Sequence, residues 1–162
     1  MRTAPFALPE GLDTPCVVVD LDVVERNAKR MAGVMADRGV SLRPHFKTHK
    51  SVRLARLQLD AGARGITVGT LGEAEVAVAA GIDDVFIAYP VWAVGTKASR
   101  LRTLAQRAPV TVGVDSVAGA ERLATAVDGA GRALRVLVEV DSGLGRTGVQ
   151  PEMVGPIASA AA

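Results

Sequence analysis

Short β-branched runs alternate with helix-capping sequences along this chain, and that alternation limits its fold more than any other feature. Residues 16–20, 40–42, 65–68, 84–88, 110–114 and 135–140 read as strands. Helical segments fall between them. The first runs from Asp22, with Glu25 at capping-box spacing, to about Arg38, and Gly39 ends it. The others cover residues 51–61, 70–81 (a second capping box, Thr70 with Glu73), 97–108 and 116–127, where Ser116 is the cap. Pro151 suits the first turn of a closing helix. Each strand–helix unit takes roughly 20–25 residues, and the strands are apolar runs, as in a parallel sheet covered on both faces. Six such strands predict an α/β fold, either an open doubly wound sheet or part of an eight-stranded barrel. In both layouts chemistry gathers at the carboxyl ends of the strands, where Lys47, Thr70, Tyr89, Asp115 and Asp141 fall. The uncapped, alanine-rich residues 157–162 read as a chain cut inside a helix.

Composition removes several functional classes. The chain has 162 residues, enough for one domain with a real core. Its 19 basic and 17 acidic residues are dispersed and leave a net charge of +2, and aromatic residues make up 3%, so a nucleic-acid partner is not expected. Cys16 is the single cysteine, which precludes an internal disulfide and fits a cytoplasmic protein. No apolar run reaches the ~18 residues of a membrane span. The first ten residues lack the apolar core of a signal peptide.

The stretch Pro44-His45-Phe46-Lys47-Thr48-His49-Lys50 follows a strand and precedes a helix. Along an extended backbone Arg43, His45, Lys47 and His49 would share one face, with Leu42, Pro44 and Phe46 on the other. Like charges around a lysine favour its free amine, the nucleophilic form, so Lys47 is a candidate nucleophile. A solvated basic loop is the plain alternative. His45 and His49 could bind a metal, but four residues along an extended loop do not reproduce the spacing of a helix turn, and His45 reads better as a hydrogen-bonding neighbour of Lys47.

Residues 142–148, Ser-Gly-Leu-Gly-Arg-Thr-Gly, contain a G-x-G-x-x-G pattern directly after a strand. Such a turn can hold a pyrophosphate, which would make the chain a nicotinamide-dependent oxidoreductase. Against this, the motif lies on the last strand, and Asp141 puts an acid beside the phosphate position. A structural glycine turn fits as well, and so does a turn that lets Arg146 hold an anionic oxygen at close range. Met31 and Met35 read as core filler at helical spacing, and Trp92 has no assignment.

Leu12-Asp-Thr-Pro15, Val18-Val-Asp20-Leu-Asp22, Arg43-Pro-His45-Phe-Lys47-Thr-His-Lys50, Gly65-Ile-Thr-Val68, Glu73-Ala-Glu75, Glu139-Val-Asp141-Ser-Gly143 and Arg146-Thr-Gly148-Val149 together resemble the D-threonine aldolase and D-serine dehydratase group. These are pyridoxal-phosphate enzymes of fold type III with an alanine-racemase-like N-terminal barrel. The resemblance runs from about Leu12 to Val149 and implies a partial (β/α)8 barrel that stops after about five barrel strands, with residues 16–20 joining a C-terminal β-domain. It implies that Lys47 forms the Schiff base with pyridoxal phosphate, that Arg146 contacts the cofactor's phenolic oxygen, and that His45, Tyr89 and Asp141 line the pocket. It also implies a divalent metal whose ligands lie outside this chain, a D-amino-acid substrate and, for the whole protein, a homodimer among the assemblies to expect. The cofactor's phosphate would be held by loops after later strands.

One lysine and one arginine serve three outcomes equally: retro-aldol cleavage of a D-β-hydroxy amino acid to glycine and an aldehyde, loss of the β-hydroxyl to a keto acid and ammonia, or racemisation. A non-catalytic pyridoxal-phosphate-binding protein is the remaining relative of this type. The aldolase-like lyase is the leading expectation. Taken alone, the chain is expected to be weakly folded and inactive, because an open barrel leaves strand edges and apolar faces uncovered.

Overall fold

A computed structural model describes Leu8 and residues 10–162. Its helices and strands are α1 (Leu21–Ala36), α2 (Val52–Asp60), β1 (Ile66–Val68), α3 (Leu71–Ala79), β2 (Val85–Ile87), α4 (Thr96–Arg107), β3 (Val110–Val114), α5 (Val117–Val127), β4 (Arg135–Val138) and α6 (Val154–Ala161), with short 3-10 turns at Phe46–Thr48 and Pro151–Met153. Local chemistry explains most of the helix starts. Ser51, Thr70 and Ser116 each accept a hydrogen bond from the backbone amide three residues on, at 3.4, 3.1 and 3.1 Å. The cap of α1 is Asp20, whose Oδ1 accepts from the Val23 amide, so the cap stands two residues before the expected cap, Asp22. Asp22 lies instead in the first turn, where a negative charge faces the positive end of the helix.

The four strands are all parallel and stand in the order β1-β2-β3-β4. An extended segment lies beside β1: Thr67 donates to the Pro44 carbonyl, Arg64 to that of Leu42, and His45 bridges to Thr67 in the parallel sense. Spatial order therefore follows chain order across five consecutive positions. A doubly wound sheet requires a reversal of that order, and a barrel requires its absence. The chain is thus an α/β part-barrel. The expected strand at residues 40–42 is this segment, which forms a single bridge to the sheet and no full ladder.

The two faces of the sheet differ. Ile66, Val68, Val85, Ile87, Val110, Val112 and Val114 point toward the helices and are fully buried, packed with Ala55, Ala74, Ala77, Leu101 and Leu123. The opposite, inner face carries Thr67, Phe86, Arg135 and Leu137, which are partly or fully exposed, and only β3 is buried on both faces. The expectation of strands covered on both sides thus holds for β3 alone.

Residues 16–20 form no strand. They make no sheet pairing, and Val17 is 92% exposed. A β-branched run has strand propensity, but a strand needs a neighbour, and none stands beside it among the described residues. Met31 is 47% exposed and is not core filler: with Val24, Ala28, Leu42, Pro44 and Leu54 it borders an open apolar groove between α1 and α2. No helix is long and apolar enough to cross a membrane among the described residues.

Candidate functional site

The extended segment ends at His45 and turns through Phe46–Thr48 at the carboxyl end of the sheet. Phe46 is 2% exposed and anchors the turn, while Lys47 is exposed and its amine makes no ion pair among the described residues. His45 Nδ1 accepts from the Lys47 amide at 3.2 Å, and Thr48 Oγ1 donates to the His45 carbonyl at 3.3 Å. Burial, with the nearby charges of Lys47 and Lys50, lowers the His45 pKa against a smaller opposing pull from Glu73. His45 is therefore neutral near pH 7, and because Nδ1 is the acceptor its proton sits on Nε2.

The four basic residues do not share a face. The 3-10 turn breaks the alternation after His45. Arg43 reaches the opposite end of the sheet and grips Asp84 with two hydrogen bonds, 2.9 and 3.0 Å. His49 Nε2 lies 3.3 Å from Gln58 Oε1, its Nδ1 accepts from the Ser51 amide, and its ring meets Phe46 edge-on. Both histidines are thus committed to local bonds, and among the described residues no three His, Cys, Asp or Glu side chains converge on a metal-sized site.

The glycine turn after β4 is built around its own acid. Asp141 Oδ1 accepts from the Gly143 amide at 2.9 Å and from the Gly145 amide at 3.1 Å, and these amide bonds hold its carboxyl below the usual range. The amides that a pyrophosphate would need are therefore occupied by the chain's own carboxylate, which removes the basis of the nicotinamide reading. Asp141, expected from sequence to line the ligand pocket, folds back into this loop through these bonds.

A second set of bonds closes the same loop at its base. Thr147 Oγ1 donates to Glu139 Oε1 at 2.6 Å, Val149 N to the Glu139 carbonyl at 2.9 Å, and Asp141 N to the Val149 carbonyl at 3.0 Å. Gly148 has φ +94° and leaves no room for a side chain, since a Cβ there would stand 2.7 Å from Asp141 N. Arg146 rides on this doubly closed loop, exposed and without a hydrogen bond or ion pair among the described residues.

Glu139 is the residue that sequence reading missed. Its Oε2 is buried and has no hydrogen-bond partner. It faces an inner-face cavity of about 310 Å³ lined by Phe86, Ala88, Gly113, Leu137 and Val138. Gly113 keeps that space open: a Cβ there would lie 3.8 Å from Glu139 Oε2 and 3.5 Å from the Tyr89 amide. A signal existed in the period-two spacing of Arg135, Leu137 and Glu139, which puts an acid on the inner face just past the end of β4. A buried carboxylate oxygen without a partner costs stability and is a mark of a functional position.

Tyr89 stands at the carboxyl end of β2 but opens onto a different cavity, about 520 Å³, which it shares with Trp92, Lys97, Arg100 and residues 69–72. Trp92 stacks under the Arg122 guanidinium, 4.4 Å from the ring centre. The structure thus sets His45 and Lys47 together on one strand end and Asp141 and Arg146 together on another, with Tyr89 between them along the rim.

The family model for the N-terminal domain of alanine racemase matches residues 19–162. D-threo-3-hydroxyaspartate dehydratase of Delftia sp. (strain HT23) is 44% identical over 138 residues, covering 85% of this chain and 36% of that protein. D-threonine aldolase of Arthrobacter sp. is 42% identical over 142 residues, 87% of this chain and 37% of that one. The crystal structure of D-threonine aldolase from Filomicrobium marinum superposes with a TM-score of 0.81 at 43% identity, over 86% of this chain and 37% of that chain. The present chain spans a little over a third of the length of these relatives.

Proposed function

This chain belongs to the alanine racemase N-terminal domain family, and from that premise we propose that it is part of a pyridoxal-phosphate-dependent lyase cleaving D-threonine or a related D-β-hydroxy amino acid to glycine and an aldehyde. Lys47 is the observation that carries the reading: a primary amine with no ion-pair partner among the described residues, presented at a strand end on a turn anchored by buried Phe46. The relatives named above supply the substrate class, D-amino acids with a β-hydroxyl.

The residues present fit the cofactor in part. A free amine, an uncommitted guanidinium and an orphaned carboxylate oxygen above a glycine-lined cavity lie at the carboxyl ends of one sheet. Pyridoxal phosphate, bound there, supplies an electron sink for bonds at the substrate's Cα. Lys47 would hold it covalently. Neutral His45 fixes the Lys47 backbone through Nδ1 and leaves Nε2–H as a free donor. Arg146 offers a permanent charge and fixed donors to an anionic oxygen, and the loop closed by Asp141 and Thr147 fixes its backbone, so that only the side chain is ordered at binding. Tyr89 would border the substrate side of the rim. The divalent metal does not fit the described residues, which bring no ligand set together, so no step is assigned to it.

A second reading, dehydration, is favoured by the 44% identity to a dehydratase. Incubating the whole protein of which this chain is a part with pyridoxal phosphate, a divalent metal and D-threonine decides between them. Glycine with acetaldehyde supports the aldolase, a keto acid with ammonia moves it to the dehydratase side, and L-allo-threonine alone, the Cα epimer of D-threonine, would make it a racemase.

A further inference from the structure

Lys50 is the one non-glycine residue with a left-handed backbone among the described residues, at φ +47°. It closes the Lys47 turn, because its amide donates to the Phe46 carbonyl at 2.8 Å. An L-residue resists this conformation, and glycine is its usual occupant. Something outside the turn must hold it.

The Glu73 carboxylate does so. One of its oxygens pairs with the Lys50 ammonium, and the other accepts from the Gly69 amide at 2.8 Å. The Glu73 side chain is 10% exposed, and its backbone is fixed in turn by the Thr70 cap. Burial alone would raise the Glu73 pKa, but the bonds from Lys50 and Gly69 outweigh it, so the group stays charged at neutral pH. Thr70 and Glu73 have capping-box spacing, yet the glutamate does not reach back to the Thr70 amide. It bonds to the amide of Gly69, one residue earlier, and to a cation from another segment. One carboxylate therefore ties the exit of the Lys47 turn to the end of β1.

We propose that Glu73 is a positioning residue for Lys47. By clamping Lys50 against Gly69 it holds the left-handed closure of the turn, and with it the direction in which the Lys47 amine leaves the sheet. The proposal rests on the reading of Lys47 as the cofactor lysine.

The test uses Glu73→Gln, which keeps an acceptor for Gly69 but removes the charge that holds Lys50, together with Lys50→Gly, which takes φ +47° freely, and the double variant. In the cofactor-free protein, hydrogen exchange at amides 47–50 should speed up about tenfold in Glu73→Gln and lie within about twofold of the parent in Lys50→Gly and in the double variant. With pyridoxal phosphate added, borohydride labelling of Lys47 should slow about tenfold in Glu73→Gln and recover in the double variant. Unchanged exchange in Glu73→Gln, or a double variant as fast as Glu73→Gln, overturns the clamp. If the parent takes no label on Lys47, the cofactor reading fails, and the exchange arm still decides the clamp.

Discussion

At the amino end of the sheet, Asp84 accepts two hydrogen bonds from Arg43 and one from Arg64 at 3.2 Å, so both of its oxygens are satisfied. At the carboxyl end, Glu139 has one oxygen bonded to Thr147 and the other buried with nothing to bond, while Lys47 and Arg146 stand without partners among the described residues. Both ends belong to the same four strands and both carry charge. The difference lies in whether the chain satisfies its own groups. A closed network resists change and contributes stability. An open one holds groups ready for a ligand and costs stability until the ligand arrives. In barrels of this kind residues at the amino ends of strands serve stability and those at the carboxyl ends serve chemistry.

The comparison breaks most readily at Gly65. A Cβ there would stand 2.3 Å from the Asp84 backbone carbonyl oxygen, which cannot swing aside as a side chain can. Gly65→Ala should cost about 3 kcal/mol of stability in a urea melt. A loss below about 1 kcal/mol would mean that the amino end yields more easily than its packing implies. Asp84→Asn comes next. It leaves two guanidiniums facing a neutral amide and should cost about 2 kcal/mol, discounted because Arg64 is half exposed.

Acid sharpens the same contrast. Burial pushes the Asp84 pKa up, but the bonds and charge of Arg43, the bond of Arg64 and the charge of Arg135 pull it further down, so the folded value lies below the ordinary one. The stability this supplies is complete above the unfolded pKa of about 4 and is lost as pH falls through the lower folded value. Melting temperatures of parent and Asp84→Asn should therefore stay apart at pH 6 and draw together as pH falls from about 4 through the lower folded value. Parallel curves across that range would remove Asp84 from the account.

The carboxyl end should behave in the opposite way. Glu139→Gln replaces the carboxylate whose Oε2 is buried without a partner and keeps an acceptor for Thr147, so stability should hold within about 1 kcal/mol or rise. Pyridoxal-phosphate affinity, read by absorbance titration, should fall. The smallest effect on stability belongs to Arg146→Ala, within about 0.5 kcal/mol, again with weaker cofactor binding. If either change unfolds the protein, the carboxyl end is structural and the comparison fails.

The parts of the fold written in short stretches could be read from sequence. Ser51, Thr70 and Ser116 cap helices through bonds to an amide three residues away, and β3 and α5 lie where their residues predict. What depended on distant partners could not be read. The β-branched residues 16–20 have strand propensity but no neighbour. Arg43 was placed beside Lys47, whereas its partner Asp84 lies 41 residues on and at the other end of the sheet. Asp141 was expected to face a ligand, yet two glycine amides a few residues away satisfy it first. Glu139 was visible as a residue, but its orphaned oxygen appears only once strand register sets it over Gly113. The family resemblance reached the barrel and the candidate lysine; it did not reveal how unequally the two ends are satisfied.

The central claim is that the carboxyl end of this sheet holds Lys47 ready for pyridoxal phosphate. The most direct measurement is to incubate the protein with the cofactor, reduce with borohydride and map the pyridoxyl group by peptide mass. The sequence supplies its own controls, since Lys29, Lys50 and Lys97 are the other lysines. The account predicts the label on Lys47 and its loss in Lys47→Ala. Label spread over the other lysines, or undiminished in Lys47→Ala, would contradict it.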